Sequence, residues 1–154
     1  MNSSPPTILL VEDNEDDVFM MRRALRQADV LNPLKVVTDG QQALDYISGA
    51  REYANREQHP LPFIIFLDLK LPYLDGFEIL SWMRRQRTLD SIVVIVLTSS
   101  GEPRDQERAY AMGARSYLVK PPTPDKLTAI FQSLKSFWLS KAEDLPVSTQ
   151  ATSS

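Results

Sequence analysis

The chain of 154 residues contains no cysteine and one histidine. No apolar run in it approaches the roughly 18 residues that a membrane-spanning helix requires. Without cysteine, disulfide bonds, thiol nucleophiles and cysteine–metal sites are excluded. The histidine, His59, stands in a polar stretch and is interpreted as a solvated loop residue. Basic residues are not in excess either, because 17 Lys and Arg stand against 20 Asp and Glu; this balance argues against a nucleic-acid-binding surface.

The length and composition predict a single domain. With 154 residues, of which 43% are hydrophobic, the chain is long enough to bury one sizeable core. Residues 1–6 are polar and carry no secretory signal pattern, so we expect a disordered N-terminus and a cytoplasmic protein without a membrane partner. The domain itself is expected over residues 7–140. Residues 141–154, rich in Ser and Thr, are predicted to be a flexible tail.

Two short apolar segments each end on a carboxylate. Residues 8–11 are followed by Glu12 and Asp13, and residues 63–67 are followed by Asp68. Continuous apolar runs of this kind are typical of strands that are buried on both faces of a parallel sheet. Ligands of such sheets bind at the carboxyl ends of the strands, so an acid at that position is a candidate functional residue.

Strand patterns alternate with helical patterns along the whole chain. The expected strands are residues 8–11, 34–37, 63–67, 92–97 and 117–119, each followed by a segment with helical spacing of its apolar residues. Asp16 and Asp17 favour a helix N-terminus, and Thr123 with Pro124 predicts the start of the last helix. This alternation predicts an α/β protein with a flavodoxin-like, doubly wound, five-stranded parallel sheet of order 2-1-3-4-5 and five helices.

In that strand order the polar strand ends meet in one pocket. The first and third strands are neighbours, so Glu12, Asp13 and Asp68 are expected to converge, flanked by Thr98 and Lys120. Three adjacent carboxylates raise one another's pKa values unless a cation is present, and oxygen ligands favour Mg²⁺ or Mn²⁺. With Lys120 and Thr98 available for phosphoryl oxygens and a carboxylate available as nucleophile, the pocket is interpreted as a phosphoryl acceptor.

The same residues resemble a known family signature. Glu12-Asp13, Asp68 with Pro72 and Asp75-Gly76, Thr98, and Lys120-Pro121 are similar to the motifs of response-regulator receiver domains, in the same order along the chain. The resemblance implies a two-component phosphorelay in which a phosphohistidine on a sensor histidine kinase is the phosphate donor. It also implies a signalling phosphoacceptor that is not an enzyme, beyond its own phosphorylation and dephosphorylation.

The resemblance assigns a role to each site residue. It implies that Asp68 is phosphorylated, that Asp13 binds Mg²⁺ directly and Glu12 through water, and that the Lys70 backbone carbonyl completes the metal ligands. Thr98 becomes the switch hydroxyl and Lys120 the contact to the phosphoryl group. Tyr117 is implied to be the aromatic residue coupled to Thr98, with simple packing of Tyr117 as the alternative.

A narrower similarity concerns the single-domain response regulators of bacterial and cyanobacterial phytochromes. It rests on the polar insertion at 49–62, the aromatic ending at 136–139 and the tail residues Leu145-Pro146, and it implies a phytochrome-type kinase. Residues 137–139 cover about 200° of a helix and cannot all face one core. We therefore expect a homodimer through the fourth helix, fifth strand and fifth helix, with Phe137 and Trp138 at its centre. The alternative is that Trp138 folds back under the tail.

Two other function classes remain open. A pseudo-receiver would share the fold and bind partners without phosphorylation, but it would be expected to lack a site residue. A phosphatase of the haloacid-dehalogenase type usually needs a second Asp two residues after its nucleophile, and Lys70 occupies that position. We see no DNA-binding pattern after residue 139, so we expect output through protein contacts.

Overall fold

The computed structural model describes the backbone of residues 5–99 and 101–143, and their side chains except those of 89 and 135–143. Five strands form one parallel sheet in the order β2-β1-β3-β4-β5. The strands are β1 (Ile8–Val11), β2 (Leu34–Val37), β3 (Ile64–Asp68), β4 (Val93–Thr98) and β5 (Ser116–Val119). The helices are α1 (Glu15–Gln27), α2 (Gly40–Ser48), α3 (Gly76–Arg85), α4 (Pro103–Ala111) and α5 (Pro124–Glu143). The predicted fold class, strand order and five helices are confirmed.

The sheet is buried on both faces, which explains its continuous apolar strands. Alternate strand residues face opposite sides, and each side has its own core. One core combines strand residues such as Leu67 and Val96 with residues of α2, α3 and α4, while the other combines Phe66 and Ile95 with residues of α1 and α5. The sheet edge that carries the polar residues is therefore held between two packed layers of helices.

The helices begin where the sequence places capping residues. The side chain of Asn14 accepts a hydrogen bond from the Asp17 amide at 3.0 Å and caps α1. Asp75 and Glu78 form a reciprocal capping box at α3. Thr123 Oγ1 accepts from the Lys126 amide at 3.2 Å, as predicted for the start of α5. These local bonds fix the positions of α1 and α3 beside the carboxyl ends of β1 and β3.

The polar connection between α2 and β3 is packed against the domain by Arg56. Its guanidinium donates to the carbonyls of Tyr46 (2.8 Å), Ile47 (2.7 Å) and His59 (3.0 Å). The first two are last-turn carbonyls of α2, which lack a partner within the helix. His59 is not a solvated loop residue: it is half-buried, with its ring edge-on to Tyr46 and Tyr53 at 5.9 and 5.1 Å. The sequence interpretation of His59 was wrong because aromatic neighbours cover it.

The described residues extend past both ends of the expected domain, 7–140. The carbonyl of Pro6 accepts a hydrogen bond from Asn32 at 3.0 Å, and α5 continues to Glu143, past residue 140. Most of the expected termini, residues 1–4 and 144–154, lies outside the described residues. Within the described part, no helix combines the length and the apolar content needed to cross a membrane.

Candidate functional site

Three carboxylates meet at the carboxyl edge of the sheet. β1 and β3 are adjacent, with Val11 paired to Leu67, so the residues that follow them come together. Oxygen atoms of Glu12, Asp13 and Asp68 all lie within 4.8 Å of one another. Glu12 and Asp68 are buried, whereas Asp13 is exposed. The structure therefore brings the three predicted acids into one cluster that is open to solvent on the side of Asp13.

Lys120 follows β5 and reaches into this cluster. Its Nζ donates hydrogen bonds to Asp17 Oδ2 at 2.8 Å and to Asp68 Oδ2 at 2.9 Å, and forms an ion pair with Glu12 Oε1 at 2.7 Å. The side chain of Lys120 is 12% exposed. A nearly buried ammonium is thus surrounded by three carboxylates that come from three different elements of the chain.

The charges of Glu12 and Lys120 are shifted by burial and by each other. Burial raises the pKa of Glu12 from 4.5 to about 7; Asp68 adds to the shift, and the ammonium of Lys120 opposes it. Burial by itself lowers the pKa of Lys120, but the surrounding carboxylates outweigh it and hold that pKa above its usual range. Lys120 therefore keeps its positive charge throughout the physiological pH range.

The loop after β3 holds the Asp68 carboxylate from its other side. The Lys70 amide donates to Asp68 Oδ1 at 3.0 Å, while the Lys70 side chain is exposed. Gly76 begins α3 so close to this turn that an added Cβ would lie 2.6 Å from the carbonyl oxygen of Asp68. Likewise, a Cβ added at Gly40, the first residue of α2, would lie 2.5 Å from the Cβ of Leu74. The backbone around Asp68 is therefore fixed by close contacts with two helices.

Thr98 and Tyr117 lie on the two neighbouring strands. Thr98 ends β4, is fully buried, and its carbonyl accepts a hydrogen bond from the Lys120 amide at 2.7 Å. Tyr117 is half-buried on β5, where it pairs with Val96 and packs against the core on the side of α2, α3 and α4. The end of β4 therefore carries the buried Thr98 hydroxyl and is also hydrogen-bonded, through the Thr98 carbonyl, to the backbone of Lys120.

Sequence reasoning missed one residue of the site. Asp17 was interpreted only as a favourable charge at the N-terminus of α1, yet its carboxylate contacts Lys120 across 103 positions of sequence. The signal was present in the pair Asp16-Asp17, but the sequence does not reveal which of the two faces the pocket. The side chains of Phe137 and Trp138, predicted to form a dimer interface, lie outside the described residues.

The acidic cluster offers the donor atoms that a divalent metal ion prefers. Glu12, Asp13 and Asp68 offer only carboxylate oxygens, which suit hard divalent cations such as Mg²⁺ and Mn²⁺. Oε1 of Glu12 is buried and lies 2.7 Å from the Lys120 ammonium. Three carboxylates within 4.8 Å of one another carry more negative charge than this one ammonium neutralises, so the cluster fits a divalent cation.

The family model of the response regulator receiver domain matches residues 8–132. The chain belongs to this family. As a receiver domain it is a signalling phosphoacceptor of the two-component type, and histidine kinases are the partners of this family. The motifs around Asp68 and Lys120 therefore predicted the correct family from the sequence alone.

Two curated relatives match this receiver domain over most of their length. The probable methanogenesis regulatory protein FilR2 of Methanothrix harundinacea is 38% identical over 135 residues, covering 88% of this chain and 84% of the relative. The response regulator Rcp1 of Synechocystis is 35% identical over 138 residues, covering 89% and 92%. The receiver domain thus resembles proteins of nearly its own length.

Solved structures of phytochrome response regulators are similar in fold. The bacteriophytochrome response regulator RtBRR superimposes with a TM-score of 0.75 and 39% identity over 84% of this chain and 78% of that one. The Mn²⁺-bound form of Rcp1 gives a TM-score of 0.68 and 32% identity over 94% and 100%. The narrower similarity predicted from the sequence, to phytochrome response regulators, is confirmed.

Proposed function

We propose that this receiver domain accepts a phosphoryl group on Asp68 from a phosphohistidine of a sensor histidine kinase. The observation that carries the proposal is the 2.9 Å pairing of Asp68 Oδ2 with the Lys120 ammonium beside the Glu12 and Asp13 carboxylates. A carboxylate oxygen of Asp68 attacks phosphorus; the new O–P bond forms as the N–P bond of phosphohistidine breaks. The imidazole leaves with the electron pair and takes up a proton from water.

The neighbouring residues each have a part in this transfer. The Lys120 ammonium neutralises one oxygen of the incoming phosphoryl group, and the Thr98 hydroxyl donates a hydrogen bond to another. Glu12, Asp13 and Asp68, with the Lys70 backbone carbonyl, would hold the metal ion. A bound Mg²⁺ or Mn²⁺ would supply positive charge for the remaining phosphoryl oxygen. The Mn²⁺ named for the structure of Rcp1 supports this choice of ions.

Thr98 and Tyr117 form the proposed switch. Phosphorylation draws the Thr98 hydroxyl toward Asp68, and Tyr117, half-buried on the adjacent strand, changes its packing in response. Its contact with the core that includes α3 and α4 supports this role, because movement there reaches the protein surface.

The proposed kinase is of the phytochrome type, supported by the similarity to RtBRR and Rcp1. The exposed face of α1, which starts next to the site, offers a surface for it. Phe19 is 61% exposed and Met20 38% exposed, and Phe19 lines a groove together with Arg22, Arg23, Arg26 and Gln27. An aromatic side chain surrounded by arginines is the composition of a protein-binding surface. We expect a purified phytochrome kinase to transfer its phosphoryl group to Asp68 faster than an unrelated histidine kinase does.

Output is proposed to pass through a homodimer built on α4, β5 and α5, with Phe137 and Trp138 at its centre. Within the described residues, a groove of about 220 Å³ between β5 and α5, with Arg115, Ala129 and Ser133 exposed along it, supports a contact surface on this face. Sedimentation equilibrium of the wild type and of the double variant Phe137→Ala/Trp138→Ala tests it. A wild type that stays monomeric, phosphorylated or not, overturns the dimer and favours packing of Trp138 under the tail.

We propose a receiver domain over residues 7–140, with α5 continuing to Glu143, in a cytoplasmic protein that binds neither nucleic acid nor membranes. It catalyses only its own phosphorylation and dephosphorylation. Limited proteolysis that removes only the two termini is the expected result for the boundaries.

Acetyl phosphate with Mg²⁺, followed by intact-mass spectrometry, tests the phosphoacceptor directly. The wild type is expected to gain one phosphoryl group, and Asp68→Asn none; chelation of the metal is expected to abolish the gain. A phosphoryl group on Asp68→Asn assigns a different acceptor. A wild type that gains none from acetyl phosphate or from a kinase is a pseudo-receiver.

A further inference from the structure

The ammonium of Lys120 has one carboxylate partner that the proposed function leaves without a role. Of its three acidic neighbours, Glu12 and Asp68 belong to the cluster that fits a metal ion, and Asp17 does not. Asp17 lies in the first turn of α1, with its Oδ2 at 2.8 Å from Lys120 Nζ. This contact is as short as the contact between Lys120 and Asp68.

We propose that Asp17 is a positioning residue that keeps the Lys120 ammonium in place while Asp68 exchanges its bond to Lys120 for a bond to phosphorus. The inference rests on the proposed function of Asp68. Asp17 acts through Lys120 and does not contact the transferred group.

Charge redistribution during the transfer explains why such a residue is needed. When an Asp68 oxygen bonds to phosphorus, the carboxylate loses its full negative charge, and its hydrogen bond to Lys120 weakens. The Glu12 carboxylate also belongs to the cluster that fits the metal ion, so its charge is shared between the ion and Lys120. Asp17 is then the carboxylate whose charge and contact with Lys120 do not change.

Asp17 is itself well placed to act as an anchor. Its amide donates to the capping side chain of Asn14 at 3.0 Å, which fixes the backbone of this turn. Its side chain is 34% exposed, compared with 1% for Glu12 and 6% for Asp68, so it lies at the rim of the pocket. A lysine stem is flexible, so an ammonium without this anchor samples more positions over the site.

Three variants separate positioning from charge. Asp17→Asn removes the anionic acceptor at nearly constant volume, and Asp17→Glu restores a carboxylate. Asp16→Asn removes the same charge from the same helical turn at an exposed position, and so measures the effect of charge alone. Urea unfolding of all three confirms that they fold.

The first measurement is the ¹⁵N–¹H spectrum of the lysine ammonium groups in metal-free protein. The Lys120 signal is expected to be sharp in the wild type and Asp16→Asn, and broadened or lost in Asp17→Asn, because the ammonium exchanges faster with solvent. The second is the affinity for beryllofluoride, a phosphoryl mimic, at saturating Mg²⁺. We expect Asp17→Asn to bind about fivefold more weakly than Asp16→Asn, as for one partly exposed charge-assisted hydrogen bond, and Asp17→Glu to recover part of the loss.

The proposal is overturned if Asp17→Asn binds beryllofluoride as tightly as Asp16→Asn or more tightly, because Asp17 would then be a spectator or a competitor for Lys120. It is also overturned if Asp17→Glu loses as much affinity as Asp17→Asn. Failure of the proposed function looks different: the wild type itself binds no beryllofluoride, while the metal-free ammonium spectra still report whether Asp17 holds Lys120.

Discussion

The buried carboxylate of Glu12 lies 2.7 Å from the ammonium of Lys120. Burial nevertheless raises the pKa of Glu12 to about 7. One positive charge is shared among three carboxylates and does not offset the burial of Glu12.

The first prediction is a dependence of stability on pH in the metal-free protein. Glu12 titrates at 4.5 when unfolded and about 7 when folded, so between these values the folded state holds more protons. The free energy of unfolding therefore falls as pH rises from about 4.5 to 7 and levels off above, by about 3 kcal/mol at most from this group. Urea unfolding in the presence of a chelator at several pH values measures it.

Glu12→Gln is the matched control for the pH prediction, because it keeps the shape of the side chain and cannot titrate. Its stability is expected to change much less over the same pH range. Equal slopes for the wild type and Glu12→Gln would show that another group titrates.

The second prediction concerns Lys120→Ala. We expect Mg²⁺ affinity not to fall, since no metal ligand is removed, but we expect the response to beryllofluoride at Thr98 and Tyr117 to be lost. Backbone amide shifts with and without beryllofluoride measure this response. Lys126→Ala, an exposed lysine in the first turn of α5, is the control and should respond like the wild type. Unchanged amide shifts in Lys120→Ala would contradict the role assigned to this residue.

The third prediction tests the close contact behind Asp68. A Cβ at Gly76 would lie 2.6 Å from the Asp68 carbonyl oxygen and 2.8 Å from the Leu69 Cα, so backbone must move. We expect Gly76→Ala to lose about 2 kcal/mol of stability and to be phosphorylated more slowly by acetyl phosphate. At Gly101 the nearest atom is 3.9 Å away, so Gly101→Ala should keep its stability within about 0.5 kcal/mol or gain slightly. Equal behaviour of the two variants in urea unfolding would argue against a close contact.

The fourth prediction concerns Arg56, which donates to the backbone carbonyls of Tyr46 and Ile47 in the last turn of α2 and to that of His59 in the following loop. Arg56→Ala leaves these acceptors without their donor and is expected to cost on the order of 2–3 kcal/mol in urea unfolding. Arg51→Ala is the control, because the Arg51 side chain is 75% exposed and its ion pair with Asp45, at 3.3 Å, contributes about 0.5 kcal/mol or less. A loss below 1 kcal/mol in Arg56→Ala, in the same range as that control, would mean that water replaces the guanidinium.

The agreement between expectation and structure has local causes. The apolar run before Asp68 specifies a strand through its own residues, and the caps at Asn14, Asp75 and Thr123 act within three positions of sequence. Parallel strands joined by helices then admit few connections, so the neighbouring positions of β1 and β3 follow from the alternation of elements. The sequence also predicted the insertion before β3, but it did not predict the burial of Arg56. An arginine that hydrogen-bonds the end of a helix cannot be distinguished by composition from an arginine in a solvated loop.

The sequence by itself determined the fold and the convergence of Glu12, Asp13 and Asp68, because both follow from periodicity within each element and from the rule that ligands gather at the carboxyl ends of strands. Only the tertiary structure decided which of the adjacent carboxylates, Asp16 or Asp17, reaches Lys120. That choice depends on how α1 is rotated against the sheet. Rotation is set by packing of Met21, Ala24 and Leu25 in the core, and a difference of one residue, about 100° around a helix, separates a solvated charge from a partner of the ammonium.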